Sequence, residues 1–173
     1  VMYYLTVYNE PIHQPAEPEN VDVEGIIKGI HKVDSSWGEG PRVQLLASGV
    51  GLPWAEEAKR MLEQDWGVQS DVWSVTSWYE LRREAITCDD HNFLHPDEPA
   101  LVPYVTQKLK GAPGPFIATS DYEHQVQDSI RQWVPGQYYT LGADGFGFSD
   151  TRPAARREFK IDAASMVVRS LQA

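Results

Sequence analysis

The chain has 173 residues, with 15 Lys and Arg against 25 Asp and Glu, 42% hydrophobic residues and one cysteine, Cys88. Its formal charge of −10 repels the phosphate backbone and argues against nucleic acid as a partner. No apolar run approaches the roughly 20 residues of a membrane span, and a lone thiol cannot form an intrachain disulfide, which suits a reducing, cytoplasmic compartment.

Residues 1–8 are almost wholly β-branched, aromatic or long apolar, until Asn9, Glu10 and Pro11 break any strand. They read as a strand or an extended arm, and a greasy strand alone at a terminus should pair with something beyond its own loop. Three prolines, Pro11, Pro15 and Pro18, favour an extended linker. The expected organisation is therefore an arm and linker over residues 1–20 and one domain over residues 21–173.

Asp22 is a fair cap for a short helical turn whose Ile26 and Ile27 can face a core. Residues 30–33 and 42–48 look like two strands joined by a Gly/Ser/Pro loop, and a loop that short predicts an antiparallel pair. Pro53 suits a first helical position, and Trp54, Ala58, Met61, Leu62 and Trp66 recur at helical spacing until Gly67 stops them. A strand over residues 71–75 follows. Ser77 and Glu80 form a capping-box pattern for the next helix.

Residues 88–103 look irregular, with a short helix over residues 104–109. A strand at residues 116–119 leads to Asp121, which is expected to cap a helix carrying Tyr122, Val126, Ile130, Trp133 and Val134. A strand at residues 138–141, a glycine loop at residues 142–149 and two helical stretches near residues 153–159 and 163–171 complete the chain. Strands alternating with crossover helices predict an α/β fold: a three-layer α/β/α sandwich with a mostly parallel sheet of about five strands and one antiparallel strand. Ligands of such sheets bind at the carboxyl ends of strands, here the turns over residues 48–51 with Ser48 and Gly49, 74–77 with Ser77, 119–121 with Asp121, and 142–149.

The candidate chemistry is sparse. Gly142, Gly145 and Gly147 follow a strand but match neither the dinucleotide fingerprint nor the phosphate-loop motif, so a structural turn is the favoured reading. His91 and His95 have zinc-binding spacing, yet Pro96 argues against a helix there. Cys88 sits beside Asp89 and Asp90, which should raise its pKa and blunt its reactivity. Trp73, Trp78 and Tyr79 suit packing better than a stacking platform. Arg152, Arg156 and Arg157 are either a solvated face or a clamp for a partner carboxylate.

Several motifs in chain order carry a resemblance. Residues 71–81 (DVWSVTSWYEL), 94–96 (LHP), 119–122 (TSDY) and 141–152 (LGADGFGFSDTR) resemble the C-terminal domain of the homodimeric bacterial pyruvate dehydrogenase family, the thiamine-dependent decarboxylating first component. Residues 43–49 (VQLLASG) fit the first core strand and turn of the transketolase C-terminal fold, and residues 3–10 are similar to the end of the family's preceding domain.

The resemblance implies decarboxylation of pyruvate on thiamine diphosphate with Mg²⁺ and transfer of acetyl to the lipoyl group of the acyltransferase component. It also implies contacts with the other domains and a homodimer partner. The family's diphosphate signature is Gly-Asp-Gly with a later Asn. Here Ala143 replaces the first glycine before Asp144 and Gly145, and no asparagine follows Asn92. The cofactor is thus expected in other domains of the full-length enzyme, with no catalytic, cofactor or metal residue in this chain. Phe146, Phe148, Asp150 and Arg152 are expected to anchor an interdomain or intersubunit contact. The alternatives are a freestanding small-ligand module on the same sheet and a domain of another transketolase-like enzyme.

Overall fold

A computed structural model describes residues 2–5, 7–13 and 20–173. One sheet has the strand order β1-β3-β2-β4-β5, with β1 His31–Ser35, β2 Arg42–Ala47, β3 Gln69–Ser74, β4 Phe116–Thr119 and β5 Tyr138–Leu141. Strands β2 to β5 run parallel, and β1 lies antiparallel to β3. The α/β sandwich with one antiparallel strand is therefore present, but the early hairpin is not.

Strand β3 separates β1 from β2. Residues 43–47 of β2 are buried on both faces, which suits the centre of a parallel sheet, whereas the alternating burial of β1 suits an edge. Helices cover both sides. On one, α2 (Gly51–Trp66) and α7 (Ala163–Gln172) pack Ala58, Leu62 and Met166 against Val43, Leu45 and Ala47. On the other, α3 (Trp78–Leu94) and α4 (Tyr104–Leu109) pack Leu81, Val105 and Leu109 against Leu46, Trp73 and Phe116. The two-residue period of β2 thus feeds two separate cores.

Side chains near the ends of the elements set several boundaries. Ser77 Oγ accepts from the Glu80 N–H at 3.1 Å, while the Glu80 carboxylate turns to Arg83. Helix α2 begins at Gly51, before Pro53, because the Gly51 and Leu52 N–H groups reach back to the Ser48 and Gly49 carbonyls at 2.9 and 3.2 Å. Proline is tolerated in that first turn.

Several expectations need correction. Helix α3 runs through residues 88–94; Pro96 restricts only His95, the residue that already ends the helix with its N–H on the His91 carbonyl. Asp121 caps nothing. The segment after it is a short α5 (His124–Asp128) with Glu123 at its cap position, followed by a 3₁₀ turn over Arg131–Trp133. In α1 (Val23–Lys28) Asp22 does cap, accepting from the Gly25 N–H at 2.9 Å, but Ile26 and Ile27 face outward and Gly25 is the buried residue. Residues 2–5, 7 and 8 form an exposed arm without strand pairing; Val1, Thr6 and residues 14–19, with Pro15 and Pro18, lie outside the described residues.

Trp73 and Trp78 are core residues, whereas Tyr79 is exposed. Within the apolar sheet Gln44 is fully buried, accepting from Trp73 Nε1 at 2.8 Å and donating to the Pro113 carbonyl at 2.9 Å. Asp71, also buried, meets Arg42 at 2.6 Å and Lys32 at 3.4 Å. Burial pushes its carboxyl upward, but hydrogen bonding from Gln44 and Ser35 and the charges of Lys32 and Arg42 outweigh that and hold it below the usual range.

A group with a depressed folded pKa adds stability above its unfolded pKa and loses it as pH falls through the folded value. Asp71→Asn should therefore cost at least about 2 kcal/mol in urea unfolding at pH 7, with the difference from wild type shrinking below about pH 4. Cys88 is buried; burial, with Glu84 beside it, pushes the thiol up to about 11. Ionisation at pH 8 is then on the order of one part in a thousand, so disulfide-exchange reagents should modify the folded chain far more slowly than the urea-unfolded chain.

Candidate functional site

Strand β2 hands the chain to α2 on one face of the sheet, while β4, its neighbour, leads to α5 and the 3₁₀ turn on the other. Neighbouring strands that leave in opposite directions open a crevice at their carboxyl ends. Its floor is closed by side chains. Ser48 Oγ lies 3.0 Å from Ser120 Oγ and accepts from Trp78 Nε1 at 3.0 Å. Ser48 is buried and bound on both sides by these groups, neither of them a base that could activate it as a nucleophile.

Above that floor lies the N-terminal arm. Tyr8 donates to Asp121 Oδ1 at 3.2 Å, and its hydroxyl occupies the space beside Gly49. Gly49 has φ +53°, and a Cβ placed there would stand 2.5 Å from the Tyr8 oxygen, so glycine serves both the left-handed turn and the arm's approach. Burial first, and then the Asp121 carboxylate, raises the Tyr8 hydroxyl above its ordinary pKa.

Glu10 is held by two arginines of α6 (Arg152–Glu158), with its Oε2 2.5 Å from Arg156 Nη2 and 3.5 Å from Arg152 Nε. Arg152 Nη2 also donates to Asn9 Oδ1 at 3.0 Å, and the Arg156 guanidinium lies 4.9 Å above the Trp54 ring. The arginine clamp foreseen for a partner carboxylate thus grips a carboxylate of the same chain, and Arg157 faces elsewhere, beside Phe148 and Asp150. Two clefts flank the arm. One, of about 310 Å³, is lined by Ile12, Leu52, Trp54, Glu56 and Arg156; the other, of about 270 Å³, includes Tyr8, Asp121, Arg152 and Phe159.

Of the residues singled out from the sequence, the crevice gathers Ser48, Gly49, Asp121 and Arg152. Ser77 serves as the α3 cap, with its N–H on the Gly29 carbonyl. Asp144 accepts from the His124 N–H at 2.9 Å, and its other carboxylate oxygen lies 2.7 Å from His124 Nδ1. The His124 N–H first, and then its side chain, holds the Asp144 carboxyl below the usual range. This aspartate caps a helix, and both its oxygens are committed; it does not fit a site that holds a metal and a diphosphate. Gly145 has φ +85° and starts an outward loop in which Phe146 is 98% exposed, while Phe148 packs on Phe159 with ring centroids 5.7 Å apart. Asp150 accepts from the Thr151 N–H at 2.6 Å.

Sequence reasoning overlooked Tyr8, Asn9, Glu10, Trp54 and His124 as site residues, while Ser120 lay within the strand-end turn over residues 119–121. The available signal was the arm itself, a Tyr-Asn-Glu stretch with polar hooks in an otherwise greasy segment.

Comparison with known proteins fits this geometry. The model of the family described as the transketolase-like TK C-terminal domain matches residues 29–162. The chain is 56% identical over 173 residues to the "Pyruvate dehydrogenase E1 component" of Mycolicibacterium smegmatis, covering 99% of this chain and 19% of that protein. The protein of that name from Escherichia coli K12 is 45% identical over 172 residues, with 99% and 19% covered. The chain therefore spans about a fifth of the length of these curated relatives, aligning with their C-terminal part. Among solved structures, the transketolase of Campylobacter jejuni superimposes with a TM-score of 0.59 at 18% identity, covering 91% of this chain and 20% of that one. The transketolase of Leishmania mexicana gives 0.56 at 18% identity, with 89% and 19% covered. By its match over most of its length, and by a sheet of the same architecture, the chain belongs to the transketolase-like C-terminal domain family.

Proposed function

We propose that this chain is the C-terminal assembly and dimerisation domain of a pyruvate dehydrogenase first component, and that it supplies geometry rather than reagents. In the full-length enzyme pyruvate is decarboxylated on thiamine diphosphate with Mg²⁺ and acetyl passes to the lipoyl group of the acyltransferase component. Those cofactors belong to other domains, and the isolated chain is inactive. The setting is the cytoplasm, and residues 1–20 are the connection to the preceding domain. The observation that carries this reading is the filled crevice. Where an open parallel sheet usually receives a ligand, this chain seats its own arm through Tyr8 on Asp121 and Glu10 on Arg152 and Arg156.

A second feature supports a role in assembly over a freestanding ligand module. Met2, Tyr3, Tyr4, Leu5 and Val7 are 79–99% exposed, and Phe146 is 98% exposed. Apolar groups concentrated in this way need a covering surface. The arm and the glycine loop flank α6, with Arg152 on the arm and Phe148 on Phe159. A neighbouring domain or subunit seated there would bury both. Rigid docking of this kind contributes to rate by holding reacting groups in register elsewhere in the dimer.

Phe146→Asp in the full-length enzyme should weaken the dimer about thirtyfold, as loss of a central aromatic anchor does, and lower pyruvate-dependent activity with it. Arg152→Ala should act in the same direction more weakly. Sedimentation and turnover unchanged in both variants would remove the assembly role. Gly49→Ala introduces left-handed strain costing about 1–2 kcal/mol and puts a methyl group where the Tyr8 hydroxyl sits. Limited proteolysis within residues 7–13 should then speed up severalfold, and a rate equal to that of wild type would mean that the arm is not held at Gly49.

A further inference from the structure

We propose that Arg152, Arg156 and Trp54 form a binding site for a small monocarboxylate with a short apolar tail, and that Glu10 occupies this site as an internal competitor. The inference rests on the seating of the arm described above and extends it from a structural contact to an exchangeable one.

Three features of the crevice point to this ligand class. Two guanidinium groups converge on one carboxylate oxygen, Arg156 at 2.5 Å and Arg152 at 3.5 Å, and the Arg156 side chain is only 23% exposed. Its guanidinium is also stacked on Trp54, so its orientation is held by the domain and not by Glu10 alone. Arg156 therefore keeps its place when the arm leaves. The cleft of about 310 Å³ beside it runs between the arm at residues 10–13 and a body wall of Val50, Leu52, Pro53 and Trp54, and that wall, which stays when the arm leaves, accepts an aliphatic tail. Acidic residues set the charge of the ligand: Glu56 lines this cleft and Asp121 lines the other. A dianion such as succinate or phosphate would place its second charge near a carboxylate, whereas a monocarboxylate brings no second charge to meet them.

Competition follows from the arrangement. Glu10 is tethered by a short segment to Tyr8, so it meets the arginines at high effective concentration, and a free carboxylate binds only when that contact opens. Ligand binding and release of the arm are then one equilibrium, and the same anion would loosen the connection at residues 7–13.

The test is calorimetric titration of the 173-residue chain with butyrate, with succinate and phosphate as controls, in wild type, Glu10→Gln and Glu10→Gln/Arg156→Gln. Glu10→Gln should bind butyrate at least fivefold more tightly than wild type, the double variant should lose binding, and the two dianions should bind more weakly than butyrate. Limited proteolysis within residues 7–13 of wild type should speed up as butyrate saturates. No heat of binding in wild type or Glu10→Gln would sink the anion site and leave the seated arm standing. Equal affinity in those two proteins would instead sink the seating of the arm and the competition with it. Phosphate binding more tightly than butyrate would overturn the ligand class, and binding that persists in the double variant would overturn the role of Arg156.

Discussion

The divergence of β2 and β4 is the constraint on which the rest of the structure depends. Neighbouring parallel strands that feed helices on opposite faces cannot keep their ends closed, and the gap exposes backbone and core edges to water. This chain fills it in two tiers. Below, Ser48, Ser120 and Trp78 satisfy one another. Above, the Tyr8 hydroxyl takes the space left by the absent Cβ of Gly49, and Glu10 neutralises two arginines. An arm that enters this gap is fixed in position and direction at the point where an open parallel sheet usually meets a ligand.

Charge is used sparingly for the same purpose. In a chain of net charge −10, several cations are paired over long sequence distances: Arg42 with Asp71, Lys108 with Asp22, and Arg156 with Glu10. They join β2 to β3, the cap of α1 to α4, and the arm to α6. Partly exposed pairs contribute little energy individually. Their value lies in specifying where a weakly packed segment rests, because a misplaced arm would leave Arg156 unpaired beside Trp54.

Most of the elements were legible in the sequence because each carries its own local pattern. The strands at residues 116–119 and 138–141 and the helix at residues 104–109 lie where propensity and punctuation put them. What stayed hidden was non-local. Nothing in residues 30–33 says that β3, still to come in the chain, will insert between β1 and β2; the clue was the run Val43, Leu45, Leu46 and Ala47, interrupted only by Gln44, which belongs at a sheet centre. Pro96 was read as barring a helix when it acts on a single residue. Asp121 looked like a cap because aspartate before a helix usually is one, yet Tyr8, 113 residues away, takes its carboxylate. The resemblance identified the family, but the arm's place in the crevice is a contact between distant parts of the chain, and no periodicity records it.

The Asp144 turn shows how such a domain can keep the outline of a cofactor loop and do different work. An aspartate after a strand, followed by glycine in a left-handed conformation, is suited to presenting oxygen atoms to a cation or a diphosphate. Here α5, the helix that follows the neighbouring strand β4, begins with His124, whose N–H and ring take both oxygens, so the loop is stabilised by capping and its glycine is free to project Phe146 outward. A carboxylate that already satisfies a helix terminus is a poor metal ligand, because binding a metal would orphan the N–H it serves. The same local chemistry thereby ties α5 to the end of β5 and leaves Phe146 at an outward-facing loop tip.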